Sequence, residues 1–375
     1  MLVAFLAVLL AGSIAYCLLA VAAAMRHLRK RPSLPTEKEQ PISILKPLAG
    51  SDDGLEANLR SFFEQDYPNF ELLFAVQNES DPAVEVIRRL APEYPSVQST
   101  LIVTGDPPYP HGKVFSLQSM LNKAKHNLIV MSDSDIRVGR DFCRAVAADF
   151  KDPQVGLVTY PYRAVAGKSL WSRLEALGMN ADFHAGVLTA IMLEGMNFAV
   201  GPTMAARKHV LLAIGGVESV KDYVSSEDFM LGRIVAGQGH RVTLSSYVVE
   251  HRIGSETLRQ NFAHRLRWAR TTRRSRPWGY VGQIFTYPLV SALCASVAHP
   301  KYWLLLPITF LIRSITAWAV CERFLRVRLR WHLLPVQDLI GFAFWIAGFF
   351  GNSIEWRGNQ YSLNREGTIE NTAVS

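Results

Sequence analysis

The sequence predicts an α/β domain built on a mostly parallel sheet, combined with transmembrane helices. Three observations predict it. From Pro41 to about Val249, short apolar runs alternate with amphipathic stretches, the pattern of a sheet covered by helices on both faces. Long apolar runs stand toward both ends of the chain. Lys and Arg crowd against the ends of those runs, as they do beside membrane crossings.

The first element is Leu2 to Met25, nearly uncharged and long enough to cross ~30 Å of hydrocarbon. Arg26, Arg29, Lys30 and Arg31 follow it. A cleaved signal peptide carries its charge before the apolar run and a small-residue site after it, so this order reads as a retained anchor over 1–25 and a basic cytoplasmic linker over 26–40. Ile42–Leu45, Glu71–Val76, Leu101–Val103 and Leu128–Met131 read as strands, and Leu55–Gln65 and Ala83–Leu90 as helices, within a catalytic domain over 41–258.

Residues 259–280 interleave Phe262, Leu266 and Trp268 with basic residues, an interfacial amphipathic segment. Residues 281–352 hold three further expected crossings, at 281–298, 303–321 and 333–352, and 353–375 is a tail. Arg323, Arg326, Arg328 and Arg330 mark a cytoplasmic loop. The signs agree on a multi-pass integral membrane protein whose catalytic domain faces the cytoplasm. The net charge of +8 tracks the membrane segments, which favours anionic lipid over nucleic acid as the partner. Four dispersed cysteines form neither a disulfide framework nor a zinc pattern. No obligatory protein partner is inferred.

Ligands in such sheets bind beyond the carboxyl ends of the strands. That rule selects Lys46-Pro47, the run Gln77 to Asp81, Asp133-Ser134-Asp135, and Glu227-Asp228 at the start of a helix. Alternate carboxylates at a strand end suit a hard divalent cation, Mn²⁺ or Mg²⁺, set between Asp133, Asp135 and a diphosphate. Asp-x-Asp alone is equally a polar turn with a helix cap; its place after an apolar strand favours the metal. A transfer to a hydroxyl needs a carboxylate to take the proton, and Asp228 is the expected base with Glu227 positioning it. A helix cap is the plainer role for an acid there. Arg267 suits bidentate contact with a diphosphate, and Trp268 suits packing at an acceptor entrance.

These residues resemble the ceramide glucosyltransferases and their bacterial lipid-glycosylating relatives. The likeness runs through Ile44-Leu45-Lys46-Pro47-Leu48, Phe62 to Pro68, Val76-Gln77 with Asp81-Pro82-Ala83, Lys113-Val114, Asp133 to Val138, Val155 to Val158, Arg207-Lys208, Gly215-Gly216, Glu227-Asp228 and Arg267-Trp268. It implies an A-type glycosyltransferase fold, a UDP-sugar donor, a divalent metal, inversion at the anomeric carbon and, for a bacterial relative, an inner-membrane setting. It implies donor contacts at Lys46, Pro47, Asp81, Lys113, Asp133, Arg267 and Trp268, with Asp81 facing the uridine. It matches Asp228 to the base and aligns His184 with a histidine of the acceptor region, near Trp268. His264 departs from the Gln or Arg that opens the family's late motif, and some relatives lack an acid where Asp135 stands.

The expected activity is inverting transfer of a sugar, glucose first, to a lipid such as ceramide. A hopanoid or diacylglycerol acceptor is the alternative. A processive polysaccharide synthase shares the acids and Arg-Trp but needs more membrane segments than the expected four. An inactive lipid-binding scaffold predicts loss of Asp81, Asp133 or Asp228, and all three are present.

Overall fold

A computed structural model describes residues 2–29, 40–223, 226–255, 257–356, 359–364 and 368–370. Most of the expected linker 26–40 lies outside them. The chain forms two compact units: Arg31–Val165 with Met196–Gly254, and Met1–Lys30 with Ala166–Gly195 and Ser255–Ser375.

The first unit carries β1 Ile42–Pro47, β2 Phe70–Val76, β3 Gln98–Val103, β4 Leu128–Ser132, β5 Ile136–Arg137, β6 Val155–Thr159, β7 Tyr162–Val165, β8 Thr203–Arg207, β9 Arg241–Leu244 and β10 Val249–Arg252. Seven strands form one sheet in the order β3-β2-β1-β4-β8-β6-β9. Only β8 runs antiparallel to its neighbours, so the sheet is mostly parallel. β1, β4 and β6 are buried along their whole length, which is why they read as apolar runs rather than alternating ones. A smaller sheet orders β5-β10-β7.

The helices Gly112–Lys123 and Glu227–Gly237 share one core with the sheet: Leu117, Met120, Leu231 and Val235 pack with Leu45, Ile129, Met131 and Leu157. Burial of these side chains, each worth roughly 1.5–3 kcal/mol, seats the two helices against the sheet. Gly232 lets the second helix approach the Phe198-Ala199 backbone: a Cβ there would stand 2.1 Å from the Ala199 nitrogen.

The second unit is helical, with a three-stranded antiparallel sheet of β11 Ser353–Trp356, β12 Asn359–Leu363 and β13 Ile369–Glu370. Among the described residues, three of its helical stretches are long and apolar enough to cross a membrane: Ala4–Leu28, Leu170–Glu194 and Pro300–Phe324. The stretch Leu170–Glu194 stands with these helices, where the sequence reading runs one catalytic domain through it. The expected crossing at 281–298 is broken: Pro277–Thr286 and Pro288–Ala298 meet at 60°. Pro288 has no N–H to continue a helix, and its ring clashes with the preceding turn. The expected crossing at 333–352 is a helix of 14 residues, Leu334–Ala347, about 21 Å at 1.5 Å per residue.

Leu258–Ser275 is a single helix, opened by a reciprocal cap in which Thr257 and Gln260 satisfy each other's backbone N–H. Its late arginines turn toward the end of Leu334–Ala347. Arg270 and Arg273 donate to the carbonyls of Phe349, Phe350, Gly351 and Ser353, and Arg274 to the Asn352 side chain. These carbonyls belong to the turn after the helix and to the first residue of β11, so the arginines satisfy a backbone stretch outside regular helix pairing.

Candidate active site

β4 ends at Ser132, opposite Thr203 at the start of β8, and the two hydroxyls lie 3.1 Å apart. Beneath this end the fully buried Lys46 leaves β1 with its ammonium 4.0 Å from the centre of the Phe62 ring. It donates to the Ser132 hydroxyl at 3.3 Å and to the carbonyl oxygen of Asp133. Burial pulls its pKa down to about 7, against the pull of Asp133 and Asp135. Lys46 thus stands beneath the turn and holds its backbone. Pro47, buried beside it, ends the strand.

The turn carries Asp133 and Asp135. Asp135 Oδ2 lies 2.9 Å from His251 Nε2, and Asp135 Oδ1 is buried without a hydrogen-bond partner. β5 and β10 create this pairing, with Ile136 registered opposite His251. Burial would raise the Asp135 pKa, but His251, Lys46 and Lys113 outweigh it and hold the carboxyl below its ordinary value. Sequence reasoning missed His251, since one histidine in a four-residue strand has no partner at a telling spacing.

Lys113 joins the two halves of the cluster. Its ammonium lies 2.7 Å from Asp133 and 3.1 Å from Glu227. Burial disfavours the charge, yet the acids more than offset it and raise the lysine pKa. His111, fully buried just before the helix of Lys113, stands 3.6 Å from the other oxygen of Glu227. Burial would raise the Glu227 pKa; Lys113 and His111 together drive it well below the carboxylate range.

Asp228 is different. Its Oδ1 accepts from the Phe229 N–H at 2.7 Å and its Oδ2 from the Gly201 N–H. Gly201 permits this approach, because a Cβ there would stand 2.9 Å from Oδ2. Burial first, and then the Glu227 carboxylate, push the Asp228 pKa up to about 6. Adjacent acids on one helix turn are therefore held apart: Glu227 ionised by Lys113 and His111, Asp228 poised near neutrality. Such a split is how a site separates a charged anchor from a proton acceptor.

Asp81 caps the helix Pro82–Leu90 by accepting from Ala83 N–H at 2.9 Å. Both its oxygens also accept from the Gly50 N–H, tying the loop after β1 to the loop after β2.

The remaining expected residues lie in the helical unit. Trp268 stands edge-on to His264, ring centres 5.0 Å apart, and 5.8 Å from Phe183. Arg267 lines two adjoining cavities. One, of about 500 Å³, is formed with Thr257, Arg259, Gln260, His264 and Glu355; the other, of about 210 Å³, with Phe262, Leu266 and Ile354. His184 is buried, with Nδ1 2.7 Å from the Met179 carbonyl oxygen. It touches Phe183, which in turn touches Trp268.

Among the described residues, no group of three or more His, Cys, Asp or Glu is arranged to hold a metal ion. The feature that fits a cation is Asp135 Oδ1, a buried carboxylate oxygen with no donor, one residue beyond Ser134 from the Asp133 carboxylate.

The sequence model of Glycosyl transferase family 21 matches residues 5–369. Ceramide glucosyltransferase 1 of Caenorhabditis elegans is 26% identical over 239 residues, which are 63% of this chain and 50% of that protein. Ceramide glucosyltransferase 3 of the same organism is 24% identical over 344 residues, 88% of this chain and 74% of the other. The chain thus spans about half the length of the first of these relatives and about three quarters of the second. A solved structure, the mannosyltransferase PcManGT from Pyrobaculum calidifontis in complex with GDP-Man and Mn²⁺, is similar with a TM-score of 0.57 at 20% identity, over 93% of this chain and 98% of that one. At that identity the likeness shows the fold.

Proposed function

The chain belongs to glycosyl transferase family 21 and is a glycosyltransferase, and from that premise we propose that it moves glucose, or a closely related sugar, from a UDP-sugar to the hydroxyl of a membrane lipid, ceramide first. The observation that carries the reading is the Lys113 bridge, which sets Asp133 at a strand end beside Glu227 and Asp228 at a helix start. The ceramide glucosyltransferases among its relatives support the lipid acceptor and the glucose.

In the proposed step the lipid oxygen attacks the anomeric carbon from the face opposite the diphosphate. The new C–O bond forms as the bond to the diphosphate oxygen breaks, so the configuration inverts. Asp228 takes the hydroxyl proton, and its pKa near 6 suits a base working at neutral pH. Glu227, held ionised, keeps Asp228 raised. Lys113 balances the acids around Asp133. Asp133 and Asp135, with His251 behind Asp135, would hold Mn²⁺ or Mg²⁺, which when bound neutralises charge on the departing diphosphate. The Mn²⁺ and GDP-Man of PcManGT support a metal and a nucleotide-sugar donor here.

Lys46, Pro47 and Asp81 are proposed to shape the nucleotide side of the site, Arg267 and Trp268 to meet the donor, and Trp268 and His184 to border the acceptor. The domain division 1–25, 26–40, 41–258, 259–280, 281–352 and 353–375 is proposed with Ala166–Gly195 reassigned to the helical unit. The catalytic domain is proposed to face the cytoplasm of a bacterial inner membrane, on the strength of the basic residues beside the apolar helices.

The test is incubation of purified full-length protein with a panel of UDP-sugars and with ceramide, diacylglycerol and hopanoid acceptors, products read by mass spectrometry. Glucosylated ceramide supports the reading. Transfer only to another acceptor, or only from another donor, replaces that part of it, and no transfer from any UDP-sugar overturns it.

A further inference from the structure

Glu175 sits inside the apolar stretch Leu170–Glu194 and is 4% exposed. A carboxylate buried there is costly unless several donors face it. One helix, Leu258–Ser275, brings to it a hydrogen-bond donor and two basic side chains. Asn261 Nδ2 donates to Glu175 Oε2 at 2.6 Å, Arg265 Nε lies 2.7 Å from the same oxygen, and His264 Nδ1 lies 3.2 Å from Oε1. Positions 261, 264 and 265 are spaced three and four apart, so they form one face of the helix. Rotation of the helix by even one residue's step would withdraw at least one of the three and leave the buried charge short of partners.

That face determines what the neighbouring positions do. Trp268, one turn beyond His264, stands edge-on to the imidazole that Glu175 holds. Arg267, on the adjoining face with Ala263, is thereby directed to the two cavities that both residues line. We propose that Glu175 is a positioning residue of the transferase: by fixing Asn261, His264 and Arg265 it sets the angle at which the helix presents Arg267 and Trp268. The inference rests on the reading above that Arg267 meets the donor diphosphate. It also accounts for a histidine at position 264, since a buried carboxylate supplies the partner that an imidazole needs to stay fixed.

The experiment uses the full chain in detergent micelles, with UDP-glucose as the donor probe and ceramide as acceptor, and compares Glu175→Gln, Arg267→Ala and the double variant. Thermal unfolding is followed on each. Losing a charged hydrogen-bond partner predicts a rise in the donor KM of roughly tenfold or more for Glu175→Gln, with the lipid KM unchanged. If Glu175 acts through Arg267, the double variant is no worse than Arg267→Ala alone. A Glu175→Gln protein that melts earlier but keeps the wild-type donor KM overturns the proposal, as does a double variant whose losses multiply. Arg267→Ala with an unchanged donor KM removes the donor contact itself and the proposal with it. Wild-type turnover in the same assay judges the donor and acceptor reading separately.

Discussion

The Lys113 ammonium lies 2.7 Å from the Asp133 carboxylate, and from that position it also reaches Glu227 at 3.1 Å. One cation therefore serves a strand end and a helix start whose acids would otherwise repel. It also lowers the Asp228 pKa, against burial and Glu227, which raise it. Lys113→Met is expected to move the acid limb of the pH–rate profile to higher pH, because a restraint on the Asp228 proton is lost. Turnover near neutral pH falls as less of the base form remains. A profile whose limb stays at the wild-type position would show that Lys113 does not act on Asp228.

Asp135 and His251 bear on the metal. EDTA is expected to abolish transfer and Mn²⁺ or Mg²⁺ to restore it. His251→Ala leaves Asp135 without its 2.9 Å partner, and loss of such an outer partner typically weakens metal affinity by ~10–100-fold. The Mn²⁺ concentration giving half-maximal activity should rise by about that factor. Full activity in chelator with no residual metal by elemental analysis would end the metal reading.

The sheet and the acids at its edge were legible because both signals are local. An apolar run followed by Asp133, or a helix opening on Glu227-Asp228, announces itself within a few residues. The place of Lys46 after β1 marks it only as a candidate near the ligand; its burial depends on Phe62 and on the Asp133 turn, brought near only by folding. The Asp135–His251 pair joins residues 116 apart and leaves no trace in spacing. Leu170–Glu194 was hard to see as a long apolar helix because its mean hydropathy is 1.2, against 2.4 for Ala4–Leu28. The polar residues that lower it, Glu175 and Asp182 among them, find their partners within the helical unit.

Arg313 illustrates the same internal pairing. It is 3% exposed within Pro300–Phe324, with Nε 3.0 Å from Asp338 and its other end on Asp182. Charges in such helices face the bundle interior and pair there. Arg313→Met strands the buried Asp338 carboxylate and takes one partner from half-buried Asp182, which keeps Gln337, and should cost about 3–5 kcal/mol, read as a markedly lower Tm in detergent. Adding Asp338→Asn and Asp182→Asn should recover part of the loss. A single variant that melts like wild type would show that the cluster contributes nothing to the packing.

The proposed orientation rests on Arg26 to Arg31 and Arg323 to Arg330. A cysteine placed at Lys30 or Arg328, in a background lacking the four native cysteines, should resist an impermeant thiol reagent in intact cells and react after permeabilisation. Labelling of either site in intact cells would place the basic segments outside.

Asp228→Asn addresses the chemistry most directly. Asparagine keeps the size of the side chain but cannot accept the lipid hydroxyl's proton. General-base help is worth ~10²–10⁴-fold, so kcat should fall by about that much while UDP-sugar binding, followed by calorimetry, changes little. The rival role is a helix cap, for which Asn and Asp rank alike. The geometry sharpens the comparison: Ser226, the residue at the cap position, makes no side-chain cap hydrogen bond, while both Asp228 oxygens accept backbone N–H groups. Asn has one acceptor oxygen, so some loss of stability accompanies the variant whichever role holds, and turnover alone does not separate them. The pH profile does. With the wild-type carboxyl at about 6, activity should fall as pH drops through that value, because the base becomes protonated. That limb should be absent from the residual activity of Asp228→Asn. A variant that melts early but retains near-normal kcat and the same acid limb would make Asp228 a structural residue and place the base elsewhere.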